Sequence, residues 1–146
     1  MPHLVVTRLK LKSKRLMLDY QKQNIPVFKQ ILAAPGFIRG KAMSTLYGDM
    51  WTMSLWGSED DMNAFYRSGA HRQVMPLLQT LACEAAAVSF VASDLCSWKQ
   101  AHAEMRRHAR FQTIREPSES QLAGRIPDLA FLTFSAPMSL YRYLPG

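Results

Sequence analysis

A chain of 146 residues, 48% of them hydrophobic, is the length of one domain and carries enough apolar material for a packed core. Its formal net charge of +7 raises the question of an acidic partner, yet no RNA- or DNA-reading motif accompanies the charge, and nucleic acid is not the expected partner. Cys83 and Cys96 stand apart without a C-x-x-C pair, and neither an apolar run of about eighteen residues nor a basic-then-apolar leader is present, which argues against a disulfide framework, a thiolate zinc site and a transmembrane segment, and predicts a soluble, cytoplasmic protein.

From His3 to Leu11 the pattern alternates after Thr7, with Leu9 and Leu11 opposed to Arg8 and Lys10, the period of a strand with one buried face. Arg8, Lys10, Lys12, Lys14 and Arg15 form a basic cluster. Lysines on an edge strand discourage sheet-to-sheet pairing, so a solvated edge is favoured over a phosphate-binding surface. Residues 14–34 change to helical spacing through Leu16, Tyr20, Val27 and Ile31, with Met17, Phe28 and Leu32 beside them. Pro26 is expected to kink or divide that helix, and Pro35-Gly36 ends it.

Phe37 to Leu46 reads as a second strand, joined through Tyr47-Gly48-Asp49 to a third at Met50–Trp56. In the third strand Trp51, Met53 and Leu55 make one apolar face, while Thr52 and Ser54 point the other way with Trp56 at the end. One face is expected to pack on helices and the other to line a cavity. Ser58 then offers a cap oxygen, and Glu59, Asp60 and Asp61 place negative charge in the first helical turn, where free N–H groups and the helix dipole favour it. Ser68-Gly69 interrupts, a second helical segment carries Val74, Leu78 and Leu81 on one side, and Pro76 limits its regularity. Glu84 to Ser93 reads as a fourth strand.

The resulting order, βαββαβ, is the split unit of the ferredoxin-like α+β fold, whose helices cover one face of an antiparallel sheet. Burying the other face favours pairing with a second copy into a dimeric α/β barrel, so a homodimer is expected. After Asp94, Trp98, Ala101, His102 and Met105 suggest a C-terminal helix; residues 111–127 lack a period and read as a linker or loop, and Leu129–Phe134 as a short strand or docking segment. The chain thus divides into a barrel domain, residues 1–110, and an unassigned extension, residues 111–146.

His71 is the sharpest chemical candidate. On a helix facing the sheet a neutral imidazole can ligate a metal or haem iron, or move a proton; a packed or capping histidine is the plainer alternative. Arg72 is a candidate for holding an anionic substrate or a propionate, or else is solvated. Trp51, Trp56, Phe65, Tyr66 and Phe90 make a candidate aromatic wall for a hydrophobic ligand, with Thr52, Ser54 and Met75 beside it, although core packing alone accounts for such residues. The nine Met residues fit an adaptable pocket or an irregular core. Glu104 and His108 lie four apart and could share a metal, but no third ligand is in view. No Ser-His-Asp arrangement, nucleotide-binding glycine loop or H-E-x-x-H is present.

The run V-V-T-R-L-K-L, the turn A-P-G-F, the segment W-T-M-S-L-W-G-S-E-D-D-M-N-A-F, then S-G-A-H-R-Q-V-M-P and S-W-K-Q-A-H-A-E-M together resemble the spheroidene monooxygenase-like and DUF3291-like proteins. These belong with the dimeric α/β-barrel superfamily that also holds antibiotic-biosynthesis monooxygenases. The resemblance spans residues 3–108, and the tail from Phe111 has no counterpart in it. The superfold serves cofactor-free oxygenases, haem-degrading and haem-binding enzymes, decarboxylases, and proteins without assigned activity. The resemblance implies a small-molecule monooxygenase acting on an apolar substrate, with or without haem, and places His71 where haem-using relatives carry a helix histidine. His71 and Arg72 are then the expected catalytic pair, and Thr52, Ser54, Trp56, Phe65, Tyr66, Met75 and Phe90 the expected substrate contacts. The alternative is a non-enzymatic binding or carrier protein for haem or another hydrophobic molecule.

Overall fold

The computed structural model describes residues 1–130 and 132–145; Phe131, inside the expected 129–134 segment, lies outside the described residues. Strands β1 (His3–Leu11), β2 (Phe37–Ser44), β3 (Asp49–Trp56) and β4 (Ala82–Val91) alternate with helices α1 (Met17–Ala33), α2 (Glu59–Tyr66) and α3 (Gly69–Leu81) in the expected order. Helix α4 (Trp98–His108), a two-residue strand β5 (Arg110–Phe111), a short helix α5 (Glu119–Leu122) and strand β6 (Phe134–Pro137) follow, and a 3-10 turn covers Met138–Tyr143. All pairings are antiparallel, in the order β5-β4-β1-β3-β2-β6. The fold is α+β and ferredoxin-like, with a six-stranded sheet.

Local chemistry explains the boundaries. Ser58 Oγ accepts from the Asp61 amide at 3.2 Å and three acidic residues occupy the first turn of α2. Ser97 and Gln100 form a reciprocal capping box on α4. Gly48, at φ +80°, makes the β2–β3 turn that Thr45 closes by accepting from the Asp49 amide at 3.2 Å. Pro26 does not divide α1, which runs unbroken from Met17 to Ala33; Pro26 and Lys22 both sit on the exposed side, where the carbonyl that the ring leaves unpaired is open to solvent. Pro76 is likewise exposed within a continuous α3.

Helices α1, α2 and α3 cover one face of the sheet, where Val5 and Trp56 pack against Val27, Phe28, Phe65 and Val74. The opposite face corrects an expectation. It is not left bare for a second copy: Leu4, Val6, Trp51, Met53 and Leu55 lie in one core with Ala101 and Met105 of α4 and with Ile126. Nor is the segment 111–127 a free linker. Gln121, 8% exposed, donates to the Ala85 and Gln112 carbonyls and accepts from the Ala85 amide, which seals the outer edge of β4. The extension is built into the same sheet as the barrel domain.

The basic cluster is not a solvated edge either. Because β4 pairs with β1 on the side away from β3, β1 is a central strand, and Arg8 is 3% exposed. Its guanidinium lies 3.0 Å from Asp49 and 3.3 Å from Glu84, with Lys10 on the second Glu84 oxygen at 3.8 Å. Lys12 pairs with Glu116 of the extension at 3.0 Å.

Candidate functional site

A cavity of about 400 Å³ lies between the sheet and α1–α3, a size at the lower end of the range for small-molecule sites. Its floor follows from strand alternation. Val5 and Thr7 of β1 and Thr52 and Ser54 of β3 project toward the helices, and the Thr7 and Thr52 hydroxyls, directly opposite in register, are hydrogen-bonded to each other. The sequence-derived division of β3 therefore corresponds to two different surroundings: Trp51, Met53 and Leu55 meet α4, while Thr52 and Ser54 line the cavity.

The roof is helical. Tyr20, Asn24, Val27 and Phe28 come from the inner stripe of α1, and Phe65, Tyr66, His71, Met75 and Leu78 from α2 and α3. The Asn24 amide donates to the Tyr20 hydroxyl at 2.7 Å, and burial pushes the Tyr20 phenol well above its usual range. On the opposite wall Ser54 Oγ, in a residue only 2% exposed, accepts from Trp56 Nε1 at 3.0 Å. Ser54 is also the hydrogen-bond partner of the Tyr66 phenol, whose pKa burial pushes up to about 12. Tyr66 therefore stays protonated, an O–H group beside Ser54 on the cavity wall.

His71 sits beside this network. Its ring stands edge-on to Tyr66, with centroids 4.6 Å apart, and 5.4 Å from Phe65. Its Nδ1 is buried without a hydrogen-bond partner, and burial holds the imidazole below its ordinary pKa, with the Tyr66 carbonyl opposing the shift in part. The ring is thus held neutral with an unsatisfied nitrogen, the form able to accept a proton. Its backbone is positioned by α1: Gln30 Oε1 accepts from the His71 amide at 3.3 Å while Gln30 Nε2 donates to the Ser68 carbonyl at 3.2 Å.

The expected site residues separate on this geometry. Thr52, Ser54, Phe65, Tyr66, His71 and Met75 line the cavity. Trp56, fully buried, stands behind the wall and holds Ser54. Arg72 does not join His71: it is exposed and outside the lining, because successive helical positions point about 100° apart. Phe90 is directed away as well, since it pairs with Leu4 and packs in the α4-side core. The Glu104–His108 pair holds no metal set, as no cluster of three potential ligands exists among the described residues; Glu104 faces Arg107 at 3.7 Å. Sequence reasoning missed Thr7, Asn24 and Ile114 as lining residues. Asn24 had a legible signal, a polar residue four positions after Tyr20 on the apolar stripe of α1.

No helix among the described residues is long and apolar enough to cross a membrane. No protein-family model matches the chain, and no curated protein matches it. Solved structures are similar in fold. Rv0793 from Mycobacterium tuberculosis is 13% identical, with a TM-score of 0.58 over 66% of this chain and 100% of its own. SnoaB from Streptomyces nogalater, a cofactor-independent oxygenase, is 12% identical at a TM-score of 0.55, over 64% of this chain and 95% of its own. A Nitrosomonas europaea protein provisionally named an antibiotic biosynthesis monooxygenase is 9% identical at a TM-score of 0.59, over 66% of this chain and 94% of its own. At such identities the likeness shows a shared ferredoxin-like fold and nothing narrower. About a third of this chain lies outside each match.

Proposed function

We propose that the protein is an oxygenase-type enzyme that takes an apolar small molecule into the cavity under α1–α3 and removes a proton from it with His71. The observation that carries this reading is the buried, unpartnered Nδ1 of a neutral imidazole beside an apolar cavity. The likeness of fold to a named cofactor-independent oxygenase and the sequence resemblance to spheroidene monooxygenase-like proteins support oxygen chemistry. Arg72 has no part in it.

In the simplest balanced reaction, one methylene activated by a neighbouring carbonyl and one molecule of dioxygen give one new ketone carbonyl and one water. A C–H bond breaks toward the imidazole nitrogen, and its electron pair stays on the substrate as an enolate. The enolate is oxidised and dioxygen is reduced; one oxygen atom forms the new bond to carbon, and the other leaves as water with the two methylene hydrogens. His71 supplies the base, and the protonated Tyr66 hydroxyl, steadied by Ser54, is the donor for the developing enolate oxygen. The apolar surroundings keep water from quenching the carbanion.

Haem fits this cavity poorly. About 400 Å³ is little room for a porphyrin with its substituents, the His71 ring is hemmed in by Phe65 and Tyr66, and the arginine expected to meet a propionate is turned out. No step is routed through haem. The α4-covered face likewise leaves a second copy only other surfaces on which to pair.

The test uses 2-tetralone, a small apolar ketone with an acidic benzylic methylene. Deuterium exchange at that methylene, read by NMR without dioxygen, is expected with the purified protein and lost in His71→Ala; dioxygen uptake is expected when air is admitted. Saturable binding with neither exchange nor dioxygen uptake would leave a carrier for hydrophobic molecules. Absence of binding would remove both readings.

A further inference from the structure

The cavity is floored by strands β4, β1 and β3, and the extension lines it on both flanks, with Ile114 beside β4 and Met138 over Gly40 of β2. β4 and β2 are separated by three inter-strand spacings of about 4.8 Å, so the two flanks stand roughly 14 Å apart. We propose that the C-terminal extension sets the length of the ligand, with Ile114 and Met138 as the specificity-determining residues at opposite ends; this rests on reading the cavity as the ligand site.

At the β4 end, Arg110–Phe111 pairs with Ala86–Ala87 and the Gln112 amide donates to the Ala85 carbonyl at 2.9 Å. The chain then crosses to α3, where the Arg115 amide donates to the Gln79 carbonyl at 3.3 Å. This strap ties sheet to helix. Between its two anchors, Ile114 is buried and faces the cavity.

At the β2 end, β6 pairs with residues 41–44 and delivers Met138, 1% exposed, to the cavity wall. The seat for Met138 is prepared in the sheet: a Cβ on Gly40 would lie 2.5 Å from Met138 Sδ and 2.7 Å from the Met53 carbonyl oxygen. The turn beyond is fastened by Tyr141, whose ring lies 4.2 Å from Phe28 on α1. An unbranched thioether in such a place yields to ligand shape more readily than a branched side chain would. A ligand that outgrows the cavity therefore meets side chains of the extension, not of the four-stranded core.

Calorimetric titration of the full chain with 4-alkylphenols from ethyl to octyl tests this. Affinity is expected to rise about fourfold per added methylene until the tail reaches the end wall, and then to stop rising. Met138→Ala is expected to move that cut-off outward by two or three carbons, and Ile114→Val, a milder change at the other end, by one; far-UV circular dichroism confirms folding of each. A cut-off unchanged in the folded variants, with the wild type still binding, overturns the proposal and leaves the cavity reading intact. Failure of the wild type to bind either the phenols or 2-tetralone overturns the cavity reading itself, and the proposal with it.

Discussion

The imidazole of His71 and the phenol of Tyr66 meet at 85° with their centroids 4.6 Å apart, one ring held neutral and the other held protonated by the same burial. A base and a donor thus share one wall of an apolar chamber. Because the two come from different helices, α2 and α3, the short break at Arg67–Ser68 between them sets their relation.

The pH dependence follows from His71. Its folded pKa lies below the ordinary 6.5, so the unfolded state takes up a proton first as pH falls. Its contribution to stability is complete above about pH 6.5, declines as pH drops toward the folded value, and changes no further below it. Urea unfolding across pH 4.5–8 is expected to show this acid decline in the wild type and a smaller one in His71→Gln. An equal slope in both would contradict a buried neutral imidazole.

Tyr66→Phe removes one hydroxyl from the Ser54 network while Trp56 keeps its bond to Ser54. A net loss of about 0.5–1.5 kcal/mol of stability is expected. Deuterium exchange of 2-tetralone is expected to slow by roughly 100-fold or more, as for loss of one preorganised oxyanion donor. An unchanged exchange rate would mean that the phenol faces no developing charge.

Gly69 occupies φ +58°, and a Cβ there would stand 2.6 Å from Gln30 Nε2. Gly69→Ala is expected to lose at least about 1–2 kcal/mol from the left-handed backbone alone. It should also shift the His71 ring signals in NMR spectra, because the displaced amide is the one that holds the His71 backbone. Gln30→Ala in the same chain should recover part of the loss by removing the clash.

Arg8 neutralises two carboxylates in the middle of the sheet, and burial already pushes the Asp49 carboxyl above its usual range. Arg8→Ala leaves Asp49 and Glu84 without that partner and is expected to cost about 3–5 kcal/mol. Adding Asp49→Asn and Glu84→Gln should return much of that stability, as measured by the urea midpoint. A near-silent Arg8→Ala would show the cluster to be well solvated.

The βαββαβ order, the cap of α2, the β2–β3 turn and the opposed faces of β3 are legible in the chain, because each is written in residues a few positions apart: a period of two or of three to four, a serine before acidic residues, a glycine in a turn. What each face meets depends on long-range pairing. Alternation marks β1 as amphipathic but not as central; the pairing of β4 on its far side is what makes Arg8 a buried cation and not an edge one. Local pattern likewise does not show that pairing with Leu4 directs Phe90 away from the cavity or that α4 folds back over that face of the sheet. The placing of Ile114 and Met138 in the cavity lining depends on contacts between parts of the chain far apart in sequence, and no local pattern in an aperiodic tail encodes such contacts.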